Sequence, residues 1–461
     1  MGRQDLRTGK NRIATAVLFL SIVFFEFSVL IPMELRFRTR TLANFLAVGI
    51  LVLLWLGPVR RRFHVRPKWY FWPMAFMALS YLFTAYQFSV LGYLTIGVAL
   101  LILYPLLGFL VKDAELTGGE TGYLKAVTQA FHLSFYVFLI ASLCLAPKLN
   151  AEQYSSLLGN PNAVGTYTDS VLIAELYLLH GESKTKGRSF FLHLACFGLA
   201  GAILFWSASR SGELAAAAAI GIYALYRFLT AERKKQILLR FAAGALALLL
   251  ALPVSYGLLN MLNPPVNRAV LTALEPMEGL HAILSDPKTF EVRSMDIVGK
   301  AAEDADMGDA LEYSFTRFGK GLFSIGSFTS GRLAIWAVFI ENIRFYGHAR
   351  EEMELHLFTR YYDSVNAHNS YIQAAFSAGL FAGIGLLVFI LALCGASLKG
   401  LRDAARAGDE EQERKALLLA MVTFAFLMQS FVSYALIPAT STMSLLFWLV
   451  VSPTLWKARR K

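Results

Sequence analysis

Residues Lys184 to Glu213 read KTKGRSFFLHLACFGLAGAILFWSASRSGE. A basic stretch, Lys184 to Arg188, gives way at Phe190 to an apolar run that meets no lysine, arginine or acid before Arg210. The run is about 20 residues long, which is what an α-helix needs to cross a hydrocarbon core about 30 Å thick. Its heavily basic flank marks the end expected to face the cytoplasm.

Runs of the same kind recur in both directions from this one. They begin at Ile13, Leu42, Trp69, Val90, Tyr123, Ala163, Phe190, Gly212, Leu238, Ser370, Ala416 and Ile437. Composition agrees with so many spans. Of 461 residues, 56% are apolar and only 16% charged, whereas soluble domains carry about 25% charged residues. The mean hydropathy is +0.52. The expected fold is therefore all-α: a polytopic membrane protein of about 12 helices.

The net charge of +11 does not point to nucleic acid. Its basic residues sit between apolar runs, as in Arg60-Arg61-Arg62, Arg233-Lys234-Lys235 and Arg459-Arg460-Lys461, and this is how topology signals are distributed. A nucleic-acid footprint would gather them on one soluble face. The three cysteines, Cys144, Cys196 and Cys394, all lie in apolar runs without CxxC or Cys/His spacing, so neither a disulfide framework nor a zinc site is expected. The Ile13 run is too long for a signal-peptide core and lacks a small-residue cleavage site; it reads as an uncleaved first span.

Twelve spans put both termini on one side, and the basic segments 60–68, 184–188, 227–240, 399–415 and 457–461 assign that side to the cytoplasm. One outside turn departs from the rule, with Arg36, Arg38 and Arg40 after the first span. Either the first two spans sit differently or these arginines meet a ligand or lipid headgroup. The chain thus segments into a bundle of nine spans (1–260), one large extracytoplasmic loop (261–368), and three last spans with a basic tail (369–461). The loop opens with Asn263-Pro264-Pro265. Within it, 301–318 has the spacing of an amphipathic helix, with Ala302, Ala305, Leu311, Phe315 and Phe318 opposite Glu303, Asp304, Asp306, Asp309 and Glu312.

Three outside patches combine polar groups. Gly159-Asn160-Pro161-Asn162 opens the sixth span, and its backbone N–H groups suit an anion. A plain helix start capped by Asn162 fits as well. In Ser207-Ala208-Ser209-Arg210-Ser211-Gly212-Glu213, Arg210 stands between two apolar runs, where a guanidinium needs a partner: Glu213, a phosphate, or headgroups reached by snorkelling. The third patch is split between Gly331-Arg332 with Trp336, and His368-Asn369-Ser370-Tyr371 where the chain returns to the membrane. A neutral His368, with a pKa near neutrality, can take a proton from a hydroxyl nucleophile, or else only bond the backbone. Two arginines and a histidine on the outer side suit glycosyl transfer from a lipid diphosphate. The guanidinium forks hold phosphate oxygens and the leaving group's charge, the imidazole activates the acceptor, and no metal is required. The run Asp304-Ala305-Asp306 is a poor calcium loop, because Phe315 stands where a bidentate Glu belongs. His348 and His356 lack HExxH spacing.

In order and spacing these patches resemble the O-antigen ligase and polymerase superfamily of bacterial membrane glycosyltransferases. The resembling residues are GNPN at 159–162, Ser209-Arg210-Ser211-Gly212, Gly331-Arg332 with Trp336, His368-Asn369 with Tyr371, and the later Gly379-Leu380 and Gly383. They span about Leu158 to Leu387; the first five spans match in hydropathy only. Ser211 before Gly212, and Tyr346-Gly347-His348-Ala349 in place of a glycine-richer turn, depart from the pattern. The resemblance implies a GT-C-like helical fold in the bacterial cytoplasmic (inner) membrane. It implies an undecaprenyl-diphosphate-linked glycan as donor, a glycan or lipid acceptor, no cofactor, and inverting transfer at the outer leaflet. Arg210 and Arg332 would hold the diphosphate and His368 would be the base, with Asn160, Asn162, Ser209, Asn369 and Tyr371 lining the substrate. A ligase and a polymerase of repeat units need the same groups. A transporter or flippase is the reading of another class, for which Glu26, Asp169 and Glu175 are intramembrane acids, although no inverted repeat accompanies them.

Overall fold

A chain immersed in hydrocarbon must satisfy its backbone polar groups internally, so its apolar runs have only helix open to them. The computed structural model describes residues 3–31, 33–56, 65–118, 122–146, 153–181, 187–230, 234–277, 332–349, 366–436 and 441–459, with isolated positions at 149, 307, 311, 316, 358–359 and 362–363. Most of the amphipathic segment 301–318 and its acidic run lie outside the described residues, as do Ser330 and Gly331.

Among the described residues, eight helices are long and apolar enough to cross a membrane, and the chain is an all-α membrane protein. Several expected spans are helices that do not meet that standard. Helix α1 (Arg3–Phe27) starts in a basic stretch. Its partner α2 (Met33–Leu56) contains a qualifying segment, Arg38–Leu56. Helix α3 (Phe71–Phe88) has 18 residues. Helix α4 (Leu91–Val98) runs through a π-turn into α5 (Tyr104–Gly118) and supplies the qualifying stretch Leu91–Thr117. Next come α6 (Tyr123–Leu145) and α7 (Pro161–Gly181). The latter carries Asp169, Glu175 and many hydroxyls, which lower its hydropathy.

Helices α8 (Arg188–Ser207), α9 (Arg210–Thr230) and α10 (Lys234–Gly257) follow. The helix continues past Met261, where the large loop is expected to begin. Through a π-turn at Leu258–Leu262 it continues into α11 (Asn263–Leu274), giving 41 helical residues in all. At 1.5 Å per residue that is about 60 Å, about twice a hydrocarbon core. Pro264 and Pro265 fall directly after the π-turn, where the helical hydrogen-bond ladder is already interrupted and a helix accommodates proline by bending.

Beyond the long loop's first part lie α12 (Leu333–Glu341), α13 (Ser370–Ala378), α14 (Leu380–Ala407), α15 (Glu410–Val432) and α16 (Thr442–Val451). The span expected from Ser370 is broken at Gly379. Its φ is +95°, and a Cβ there would lie 2.0 Å from the Phe345 carbonyl oxygen, so only glycine fits. Strand is scarce: Val65–Pro67 pairs antiparallel with Trp456–Ala458, and Phe358–Thr359 with Tyr362–Asp363.

The chain forms two compact units. One comprises Met1–Leu18, Thr41–Val127 and Ile325–Lys461; the other comprises Phe19–Arg40 and Thr128–Ser324. This is a partition by packing, not the chain-order segmentation at 260 and 368. In the first unit α14 packs against α3, α13 and α15, around aromatic pairs such as Phe426–Phe447 (3.9 Å) and Phe389–Trp448 (5.8 Å). In the second, α8 lies between α7 and α10, and α7 also meets α9. Leucines along α10, among them Leu238, Leu246 and Leu249, remain exposed. That is the surface lipid covers.

Candidate functional site

The second unit holds the GNPN and arginine patches. Gly159 turns the chain with φ +60°, and α7 starts at Pro161. The residue that caps it is Asn160, whose Oδ1 accepts the Asn162 N–H at 2.8 Å. Asn162, the expected cap, instead accepts from the Ser209 hydroxyl at 3.2 Å. The correction follows from proline: with Pro161 at the first helical position, the cap falls one residue earlier.

Ser209 is itself the residue before α9. Its Oγ accepts from the Gly212 N–H at 3.4 Å, and its carbonyl accepts from the Glu213 N–H at 2.8 Å. Ala208 just before it has a left-handed φ of +46°. The patches meet because glycine faces glycine. A Cβ on Gly165 would lie 2.4 Å from the Ser209 Oγ, and one on Gly212 would lie 2.8 Å from the Gly165 backbone. Arg210, half-buried, is the first residue of α9. A cation there opposes the positive end of the helix dipole, which Glu213 in the same turn partly offsets. Together the guanidinium and the helix start make a strongly anion-attracting position.

Arg36 and Arg40, also in this unit, close the turn between α1 and α2. Arg36 donates to the Ile31 carbonyl at 3.3 Å, while Arg40 donates to Phe25 at 3.4 Å and lies over its ring. Asn263 and Asn267 cap α6. The Asn263 amide reaches the carbonyls of Ser142, Leu143 and Ala146, and Asn267 reaches that of Cys144.

The first unit holds the other patch. Arg332, half-buried, precedes α12 and donates to the carbonyl of Val432, the last residue of α15. Asn369 bonds both ways: its Oδ1 caps α13 by accepting from Tyr371 and Ile372 at 3.0 and 3.1 Å, and its Nδ2 donates to Phe431 at 3.0 Å. Ser370 donates to the Ser433 carbonyl at 3.0 Å. The chain around 368–370 is thus pinned to the C-terminal end of α15. Tyr371 packs on Phe431 with ring centroids 5.1 Å apart.

His368 sits between these anchors in a left-handed backbone, φ +48°, strained for a side chain larger than asparagine. Its N–H is held by Asn366 at 2.9 Å, and Gln373 takes the Ala367 N–H at 2.7 Å. Burial, and then the nearby Arg332 charge, lower the imidazole from its ordinary value to about 4. The ring is therefore neutral at physiological pH, but it is not poised near neutrality as the sequence suggested, because both influences disfavour its cation. His348 has a different use: fully buried, its Nδ1 bonds the Phe376 carbonyl at 2.9 Å and its ring stacks on Phe376.

The structure brings Asn162 to Ser209 and Arg332 to His368. Arg210 belongs to a different unit from Arg332 and His368. One cluster went unread in the sequence: His132 on α6, Glu175 on α7 and His193 on α8 converge in the second unit. Each comes from a different helix, and none shares a local motif with another. The signal available was helical position, since all three are interior to neighbouring helices.

No known family model matches the chain, and no curated protein matches it.

Proposed function

We propose that this chain is a glycosyltransferase that moves a glycan from an undecaprenyl-diphosphate-linked donor to an acceptor hydroxyl. The setting is the outer face of the bacterial cytoplasmic membrane, with a GT-C-like bundle of about 12 spans and both termini in the cytoplasm. The observation that carries the reading is the pair Arg332–His368: a neutral, half-buried imidazole in a strained backbone beside a fixed guanidinium.

In this reading the acceptor oxygen attacks the anomeric carbon while the bond from that carbon to the diphosphate oxygen breaks. The acceptor proton passes to His368 and then to solvent, and the lipid diphosphate leaves with the bonding electron pair. A single displacement inverts the anomeric centre. Arg332 stabilises the charge gathering on the leaving group. Donor binding also changes His368: the diphosphate's negative charge offsets the Arg332 charge and raises the imidazole's basicity when the acceptor arrives. Arg210, at the positive end of α9, suits phosphate oxygens by its own setting. Asn160, Asn162, Ser209, Asn369 and Tyr371 are assigned to shaping these positions.

Ligation of a finished glycan is the preferred form; joining of lipid-linked repeat units uses the same chemistry. The test is incubation of the purified protein with a lipid-diphosphate glycan and candidate acceptors. One product of donor length plus acceptor indicates ligation, and a ladder indicates polymerisation. Unchanged donor across a broad acceptor panel would refute the proposal.

A further inference from the structure

Inside the second unit, Glu175 presents both carboxylate oxygens to imidazoles. Its Oε1 lies 2.6 Å from the His132 Nδ1 and its Oε2 lies 2.8 Å from the His193 Nδ1. Glu175 is completely buried, and the two histidines are 7% and 9% exposed. One donor atom from each residue falls within 4.8 Å of the others. Both ring contacts use Nδ1, which fixes the tautomers when the rings are neutral: each Nδ1 carries a proton and donates it to the carboxylate.

The other face of His132 is occupied as well. Its Nε2 lies 3.2 Å from the Tyr136 hydroxyl, one helical turn along α6, and the Cys196 thiol lies 3.3 Å beyond. A chain of groups thus runs Cys196, Tyr136, His132, Glu175, His193 across three helices.

We propose that His132, Glu175 and His193 form a binding site for one divalent transition-metal ion of the zinc class. Two imidazole nitrogens and a carboxylate oxygen are a donor set that such ions take. With the carboxylate ionised and both rings neutral, the cluster leaves a full negative charge buried between helices, and a divalent cation more than offsets it, leaving one positive charge on the loaded site. Donors about 2.0–2.1 Å from a tetrahedral ion stand about 3.3 Å apart, so the two contacts, at 2.6 and 2.8 Å, need to open by about 0.7 and 0.5 Å. Tyr136 supplies the outer partner. When both rings bind the ion through Nδ1, each proton moves to its own ring's Nε2; that of His132 is donated to the Tyr136 oxygen, whose own hydrogen turns to the Cys196 sulfur. Ligating histidines ordinarily have such an acceptor behind them. Here it is on the same helix, in position.

This inference does not depend on the glycosyl-transfer reading. Its test uses the full chain in detergent, stripped with chelator and then given Zn²⁺ or Co²⁺ alone. Metal analysis after desalting should find about one ion per chain, and Co²⁺ should give the visible bands of a low-symmetry site. Glu175→Gln and His193→Gln should each abolish stoichiometric loading while eluting as the same monodisperse species. Tyr136→Phe should load with affinity weakened by about 10–100-fold. If either ligand variant fails to fold, the other variant and the wild-type Co²⁺ spectrum decide. Wild-type protein that retains no Zn²⁺ or Co²⁺ would overturn the proposal and leave a cluster neutralised by a proton. Loading unchanged in both ligand variants would overturn it too.

Discussion

Burial depresses the basicity of His368, and the Arg332 charge beside it depresses it further, to about 4. The same guanidinium donates to the Val432 carbonyl at the end of α15. One side chain therefore ties a helix end and sets the protonation of its neighbour. If His368 is the base of the proposed transfer, kcat/KM should fall on an acid limb near pH 4. Replacing Arg332 with Gln removes the repelling charge but not the burial, so residual activity should lose its acid side at higher pH, between about 4 and 6.5. A pH–rate profile of both proteins checks the direction; an unmoved limb would detach the two residues.

Arg332→Lys separates the structural role from the chemical one. Lysine keeps a charge and can still donate to one carbonyl, but it loses the planar fork. We expect thermal stability close to wild type and transfer nearly as poor as in Arg332→Ala, down by about 100-fold or more in kcat/KM. Lysine restoring transfer would reduce the arginine to a point charge.

His368 should also leave a mark on stability. Its folded pKa of about 4 lies below the unfolded value of about 6.5, so between these the unfolded chain binds more protons and wild-type stability rises with pH. Relative to His368→Gln, the wild type should lose stability as pH falls from about 6.5 to about 4, with no change in the gap above that window. Melting curves of the pair at stepped pH measure it.

Gly212→Ala should disrupt the approach of α7 and α9, because the added Cβ would lie 2.8 Å from the Gly165 backbone. Overpacking of this kind costs about 1–3 kcal/mol. Asn263→Ala removes an amide that serves three carbonyls at the C-terminal end of α6 and should cost about 1–3 kcal/mol, the penalty for buried groups left unpaired. Thermal unfolding in detergent reads both, and a neutral Gly212→Ala would mean that the helices separate freely there.

Hydropathy made the helical membrane fold legible, since an apolar run of span length has no alternative to helix. It did not show where helices continue or break. The run past Met261 stays helical because a π-turn carries the chain into the Asn263-Pro264-Pro265 segment without a break, and the Ser370 run breaks because Gly379 adopts a backbone closed to other residues. The polar patches were visible as isolated charges in apolar surroundings. Their hydrogen-bond partners were not, because Asn369 reaches Phe431 and Arg332 reaches Val432 across long stretches of chain. The His132–Glu175–His193 cluster escaped for the same reason: three lone residues on three helices carry no local spacing.

The most direct measurement of the central claim is release of lipid diphosphate from a purified lipid-linked glycan in the presence of acceptor. It compares the wild type with single alanine variants at Arg210, Arg332 and His368. The wild type should release lipid diphosphate in step with a new glycosidic product, while each folded variant falls by about 100-fold or more. Normal release by all three variants would contradict the account.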